Sequence, residues 1–364
     1  MTVLICTTEN SGIDRYSQEL AKLLPVTTVR TGRYKLELDG YWLVNHLKTL
    51  DDTVHYTNQH FGRISMCAGL PFIVTVHDLE RICFPFSNQE PQEEASLKTD
   101  AAAIQKAEHV IAVSENTKKD LMRFLKIPDE KITVVYNGVN HEVFKPNAHS
   151  ISLSTYILYV GSERPRKNLE RLLEAFVLLK KSPDFADLKL IKVGSAGRSD
   201  AFRQTTLRKI KELGLEREVI FIDQITDDRL VEYYSSARAL VYPSLYEGFG
   251  LPVLEAMACG CPVITSNVSS LPEVAGDAAF LINPYDVRDI CGAIARLLTD
   301  GSLRKEMAVK GKERSKIFSW EKTAEQTMSL YRQVEQSVKG RQKDSPNSQS
   351  SGGEYQSCQP LKTQ

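Results

Sequence analysis

No stretch of this chain approaches the roughly 20 consecutive apolar residues of a membrane-spanning helix. Its opening, MTVLICTT, lacks the basic n-region and the longer apolar core of a signal peptide. Excess charge of one sign is missing as well, because 46 Lys and Arg balance 46 Asp and Glu. A broad basic face that binds nucleic acid by neutralising phosphates is therefore not expected. A pocket for an anionic small molecule needs only two or three cations and stays open as a reading. The 7 cysteines show no paired metal-ligand spacing, the tightest pair being Cys259-Gly260-Cys261. An odd count without an export signal reads as reduced thiols in a cytoplasm. Composition leaves peripheral contact with the inner face of a membrane untested.

What is present is an alternation. Short β-branched runs at Val3 to Cys6, Val26 to Val29, Val54 to Tyr56, Phe72 to Val76, Val110 to Val113 and Ile132 to Val135 are separated by stretches of helical length. Tyr16 to Leu24, Ala95 to Lys106 and Asn116 to Leu125 are such stretches, the last with Ser114 placed to cap it. A polar segment from His141 to Ser154 then lacks periodicity and reads as a linker. Strand and helix alternate again through Tyr156 to Val160, Leu172 to Leu179, Leu188 to Val193, Val219 to Ile222, Leu240 to Tyr242 and Val263 to Thr265. The expected fold is α/β, two doubly wound Rossmann-like domains facing across a cleft, with residues 1–148 in the first and 149–338 in the second. From Lys339 the chain turns rich in Ser, Gln and Gly, and residues 339–364 are expected to be a disordered tail. Ligands of such sheets bind beyond the carboxyl ends of the strands.

Two strand ends carry the densest chemistry. After Leu240 to Tyr242 comes Glu247-Gly248-Phe249-Gly250, then a helix from Leu251 with Pro252 in its first turn and Glu255 further along. Glycines before a helix allow a ligand close to the backbone, and the free N–H groups attract an anion. Carboxylates on either side of that point suit the hydroxyls of a ligand whose phosphate lies between them. After Tyr156 to Val160 comes Gly161-Ser162-Glu163-Arg164-Pro165-Arg166-Lys167-Asn168, with three cations in four residues able to clamp a diphosphate. In the first half, His77 ends the strand Phe72 to Val76, and Asn10-Ser11-Gly12 leaves the first strand in a second close-approach loop. The remaining histidines, His46, His55, His60, His109, His141 and His149, have no comparable setting and are read as core or surface residues.

These segments together make a recognisable pattern. YEGFGLPVLEAMACGCPVI, VGSERPRKNLERLLEAF, VIFIDQITDDRLVEYYSSARALVYPS, SSLPEVAGDAA, TVHDL, IAVSENTKKDL and VVYNGVNHEVFKP resemble the GT-B retaining glycosyltransferases of family 4, also called group 1, over about residues 3–335. The resemblance implies that Glu255 holds the ribose hydroxyls of a nucleotide-sugar and Glu247 the hydroxyls of the transferred hexose. It implies amides of Gly248, Phe249, Gly250 and Leu251 toward sugar and phosphate, Arg166 and Lys167 on the diphosphate, His77 beside the reacting sugar, and Gly12 leaving room for phosphates or acceptor. Ser162 stands where some members carry Arg, which would shift diphosphate charge onto Arg166 and Lys167.

The implied reaction moves mannose or glucose, with GDP-mannose ahead of UDP-glucose as donor because SSLPEVAGDAA is closer to mannosyltransferase members. The acceptor would be a glycan or a lipid-linked hydroxyl. No bound cofactor is expected, and no Asp-x-Asp is present to hold a metal on the diphosphate. Other GT-B activities, a nucleotide-sugar epimerase or a phosphorylase, and a non-catalytic scaffold subunit remain alternatives at this point. Tyr41-Trp42-Leu43-Val44 and the basic Lys118, Lys119, Arg123 and Lys126 offer surfaces that could meet a lipid-linked acceptor, against a plainer reading as core and solvated helix. Oligomeric state is not readable.

Overall fold

The computed structural model describes residues 2–7, 12–31, 47, 53–62, 64, 70–84, 91–147, 155–197 and 200–343. Asn10 and Ser11, the stretch Tyr41 to Val44, His46, His149, linker residues 148–154 and the tail from 344 onward lie outside them.

Two six-stranded sheets organise the described chain. The first contains β1 (Thr2–Thr7), β2 (Thr27–Thr31), β3 (Thr53–Tyr56), β4 (Phe72–Val76), β5 (His109–Ala112) and β6 (Ile132–Val134), in the order β2-β1-β3-β4-β5-β6. The second contains β7 (Tyr156–Val160), β8 (Lys189–Val193), β9 (Val219–Ile222), β10 (Leu240–Tyr242), β11 (Val263–Ser266) and β12 (Phe280–Ile282), in the order β12-β11-β10-β7-β8-β9. All pairings are parallel.

The sequence explains this directly. FIVTV in β4 and YILYV in β7 are buried at every position. A parallel strand is covered on both faces, so it shows no polar alternation. Along β7 the pleat sends Tyr156, Leu158 and Val160 into one core and Ile157 and Tyr159 into another. The second of these cores also takes Leu172, Leu173 and Phe176, whose spacing gives the helix Leu169–Lys180 its apolar face.

Strand order reverses between β1 and β3 in one sheet and between β7 and β10 in the other. Loops leaving the two strands at such a point diverge to opposite faces and open a crevice. Both clusters singled out above, after β7 and after β10, flank the reversal in the second sheet.

Helix boundaries shift in instructive ways. The first helix runs Gly12–Leu23, starting before the periodic signal at Tyr16 because its first turn faces the cleft rather than the core. Ser114 caps the helix Glu115–Leu125, its Oγ accepting from the Thr117 N–H at 3.0 Å. The last helix spans Trp320–Lys343, so the tail expected from Lys339 starts too early. Lys339, Arg341, Gln342 and Lys343 are adequate helix formers despite Gly340, and composition alone hid that. Trp320, Leu330, Tyr331 and Val334 of this helix pack against Leu4, Cys6, Tyr16 and Leu20, which returns the chain's end to the first sheet.

Candidate active site

Loops from the carboxyl ends of both sheets line a cleft of about 1800 Å³. A site for one small ligand occupies roughly 300–1,000 Å³, so this cleft has room for two reactants. Gly12, His77, Arg166, Lys167, Glu247, Gly248, Phe249, Gly250, Leu251 and Glu255 all line it.

The cations after β7 sit on a 3-10 turn, Pro165–Lys167, that is tied down from two sides. Asn168 follows the turn, and its amide donates to the carbonyls of Pro243 at 2.9 Å and Pro284 at 2.7 Å. Behind the turn, Glu163 meets Lys192 at 2.8 Å and Arg203 at 2.7 Å, with no side-chain surface of Glu163 or Lys192 exposed. Fixed loops of this kind present their remaining charges without reorganisation.

Glu247 receives those charges. Lys167 Nζ lies 2.6 Å from its Oε1 and Arg166 Nη1 2.9 Å from its Oε2, while the Tyr242 hydroxyl donates to Oε1 at 2.8 Å. Its backbone is clamped too, the N–H donating to Ser269 Oγ at 3.0 Å and the carbonyl accepting from Ser270 Oγ at 2.9 Å. Burial alone would raise the Glu247 carboxyl, but Lys167 and Arg166 overcome it and hold the group down at about 2. At neutral pH the site is an ionised cluster.

The following glycines do two jobs. Gly250 has φ of +118°, a conformation open to glycine, and places Leu251 as the first residue of the helix Leu251–Ala258. That helix start carries N–H groups with no intrahelical partner. The Phe249 side chain turns away into the core, with its ring 6.0 Å from Tyr136 and 5.8 Å from Phe318, so only its backbone serves the cleft. Glu255 is buried one turn along, where it accepts from the Tyr234 hydroxyl at 3.0 Å and pairs with Arg15. Burial raises its carboxyl above the ordinary range, with Arg15 opposing.

From the first sheet come Gly12 and His77. Gly12 opens the first helix, where an added Cβ would lie 3.6 Å from Leu251 Cδ1 across the cleft. His77 is buried, its Nε2 lies 2.7 Å from the Thr57 carbonyl, and its N–H donates to Gln59 Oε1 at 2.9 Å. Burial lowers its pKa, so the imidazole is neutral, and the Thr57 carbonyl places the ring hydrogen on Nε2. The Tyr16 ring packs edge-on against it at 5.0 Å. His60, read as a core or surface residue, lines the cleft as well and pairs with Asp100 at 2.6 Å.

Sequence reasoning missed Arg15, Glu80 and Asp227. Arg15 Nη2 lies 2.7 Å from Asp227 while Nη1 pairs with Glu255, and Glu80 meets Arg166 Nε at 2.8 Å. Each links the two sheets, and no local motif signals a partner 80 or more positions away.

Comparison with known proteins identifies the family and the fold. Residues 140–314 match the family described as Glycosyl transferases group 1, and residues 2–143 match Glycosyltransferase Family 4. The O-antigen chain mannosyltransferase B of Escherichia coli is 32% identical over 270 residues, covering 71% of this chain and 70% of that protein. The chain spans about a third of the longer Escherichia coli serotype-specific mannosyltransferases, one of which is 31% identical over 268 residues, 69% of this chain and 32% of that protein. Among solved structures, sucrose-phosphate synthase from Thermosynechococcus elongatus superposes with a TM-score of 0.76 at 26% identity, over 92% of this chain and 99% of that one. Anabaena HepE, solved with UDP and glucose, gives 0.75 at 18% identity over 90% and 98%, which speaks to fold alone. With GT-B architecture, both family matches and these relatives, the chain belongs to the group 1 glycosyltransferases of family 4 and is a hexosyltransferase.

Proposed function

We propose that the protein transfers mannose, or failing that glucose, from a nucleotide-sugar to a hydroxyl of a glycan or lipid-linked acceptor with retention at the anomeric carbon. The observation that carries this is the ionised cluster of Glu247, Arg166 and Lys167 beside the start of the helix Leu251–Ala258, facing His77 of the other sheet. The mannosyltransferase relatives support mannose, and with it GDP-mannose ahead of UDP-glucose.

Each residue then has a task. Glu255 holds ribose hydroxyls, Arg166 and Lys167 hold the diphosphate, and the amides at Gly248 to Leu251 complete its cradle. Glu247, ionised and fixed, accepts hydrogen bonds from the hexose hydroxyls. Cleavage of the sugar–phosphate bond builds negative charge on the leaving diphosphate and positive charge at the anomeric carbon. Two cations and a helix N-terminus aimed at the diphosphate favour that charge-separated state over the ground state. Gly12 leaves space for phosphate or acceptor, and the neutral His77 stands against the sugar from the acceptor side. Closure of the cleft over a bound donor excludes water that would otherwise hydrolyse it.

The exposed face of the helix Glu115–Leu125 supports an acceptor presented at a membrane. Lys119 and Arg123 are exposed there beside Met122 and Phe124, and Lys126 follows. Lys118 is committed to Asp129 at 2.8 Å.

Transfer assays with GDP-mannose and UDP-glucose test the assignment. Glu247→Ala and Lys167→Ala are expected to lower kcat/KM by at least tenfold, since a charged hydrogen bond contributes about 1.5–3 kcal/mol. Wild-type rates in both variants would remove the site from consideration.

A further inference from the structure

Glu80 stands three residues beyond His77, at the start of the short helix Glu80–Cys83, outside every motif described above. Its two carboxylate oxygens divide between two guanidinium groups of the opposite sheet. Oε2 lies 3.1 Å from Arg164 Nη1 and Oε1 lies 2.8 Å from Arg166 Nε. Side-chain exposure is 20% for Glu80, 24% for Arg164 and 11% for Arg166, so solvent does not screen the contact away. Arg166 Nη1 is meanwhile engaged by Glu247 and by the Tyr246 carbonyl, both at 2.9 Å.

Taking the cleft as a nucleotide-sugar site, we propose that Glu80 is a determinant of donor affinity: its carboxylate accepts a hydrogen bond from Arg164 and pairs by charge with Arg166, whose buried Nε–H finds no hydrogen-bond acceptor among the described residues, and a donor diphosphate takes both guanidinium groups when it binds. Carboxylate and phosphate oxygens are both acceptors only, and both are anionic at neutral pH. They compete for the same donors and repel each other across a few ångströms. A diphosphate brings more charge than one carboxylate and wins the exchange. A nucleoside or free sugar has nothing with which to displace Glu80. The pairing therefore keeps two partly buried cations compensated, which is worth having because an unpartnered buried charge is costly. The exchange weakens only ligands that bear a diphosphate and leaves nucleosides unaffected. Glu80 shares its loop with His77, so the exchange removes one tie between that segment and the second sheet, while the Leu79 N–H still donates to the Tyr246 hydroxyl.

Isothermal titration with UDP, GDP, uridine and guanosine tests this on the wild type, Glu80→Gln and Glu130→Gln. Glu130 is exposed and does not line the cleft, and its substitution makes the same change in net charge. Glu80→Gln is expected to bind the diphosphates roughly three- to tenfold tighter, the range a partly exposed ion pair supplies, with nucleoside affinity unchanged. Unchanged or weaker diphosphate binding in Glu80→Gln overturns the assignment, as does equal tightening in Glu130→Gln. Glu80→Ala repeats the measurement without an amide that could keep the hydrogen bond to Arg164. If the wild type bound neither UDP nor GDP, the donor-site reading itself would fall, a result distinct from a wild type that binds and a Glu80 variant that gains nothing.

Discussion

A Cβ built on Gly248 would lie 1.6 Å from the carbonyl oxygen of His77. The two residues belong to different sheets, so a methyl group here must push one loop off the other. The obstructing atom is backbone, and no side-chain rotation relieves it. Gly248→Ala is expected to lower kcat/KM by about 100-fold, because a displacement near 1 Å at a reacting centre costs that much. Gly292→Ala is the matched control, since nothing lies within 4 Å of a Cβ there. It sits inside the helix Val287–Thr299 and should be neutral or stabilising by about 0.5–1 kcal/mol. Equal losses in both variants would refute the contact.

Glu247 gives a pH dependence with a definite sign. Its carboxyl is held at about 2 in the folded protein, against 4.5 ordinarily. A depressed carboxyl stabilises the fold above its unfolded value and loses that contribution as pH falls from about 4.5 toward 2. The contribution is on the order of 3 kcal/mol, at roughly 1.4 kcal/mol per unit. Urea unfolding of the wild type between pH 6 and pH 3 should show the larger part of this loss, about 2 kcal/mol. Glu247→Gln should be less stable at pH 6, with Lys167 and Arg166 left facing an amide, and should lose less on acidification. A Glu247→Gln curve parallel to the wild type would contradict the ionised cluster.

How much of this was legible in the sequence depends on distance along the chain. The strands announced themselves because a doubly covered parallel strand is buried throughout and mostly apolar, as in β4 and β7. Ser114 was legible because a cap acts on an N–H three residues away, at Thr117. The cation turn at Arg164 to Lys167 and the Glu247 to Leu251 loop were legible because each is contiguous and follows a strand. Arg15, Glu80 and Asp227 were not, because their partners lie on the other sheet. Their roles depend on how the two sheets face each other, which no window of residues encodes. Glu273 is a further case: it sits in SSLPEVAGDAA, yet its carboxylate accepts from the N–H groups of Glu115 at 2.9 Å and Asn116 at 3.0 Å, capping a helix of the first half.

Lys192 and Glu163 support the cation turn from inside. Their side chains are fully enclosed and 2.8 Å apart, and Lys192 Nζ also donates to the Ser195 carbonyl at 3.0 Å. Removing Lys192 leaves Glu163 with Arg203 alone, and neutralising Glu163 leaves the Lys192 charge with backbone carbonyls alone, at a cost of up to about 3–5 kcal/mol. Lys192→Met and Glu163→Gln should each destabilise by about that amount, while the double variant should lose less than the sum. Additive losses in denaturant melts would show that the two groups do not depend on each other.

The helix Glu115–Leu125 offers the test of where the acceptor is met. Lys119, Met122, Arg123 and Lys126 follow a spacing of three and four residues, which places them along one face, and Phe124 is exposed beside them with the Arg123 guanidinium 4.9 Å from its ring. Lys and Arg near an anionic surface contribute about 1 kcal/mol each, and exposed apolar side chains add insertion into the headgroup region. Lys119→Glu with Arg123→Glu reverses two charges and should lower cosedimentation with vesicles containing anionic lipid by at least tenfold, with vesicles of neutral lipid showing little binding in either case. Transfer to a soluble glycan acceptor should be unaffected, because these side chains do not line the cleft. Loss of soluble-acceptor activity along with vesicle binding would mean that the substitutions disturb the fold, and vesicle binding at wild-type strength would mean that this face does not meet the membrane.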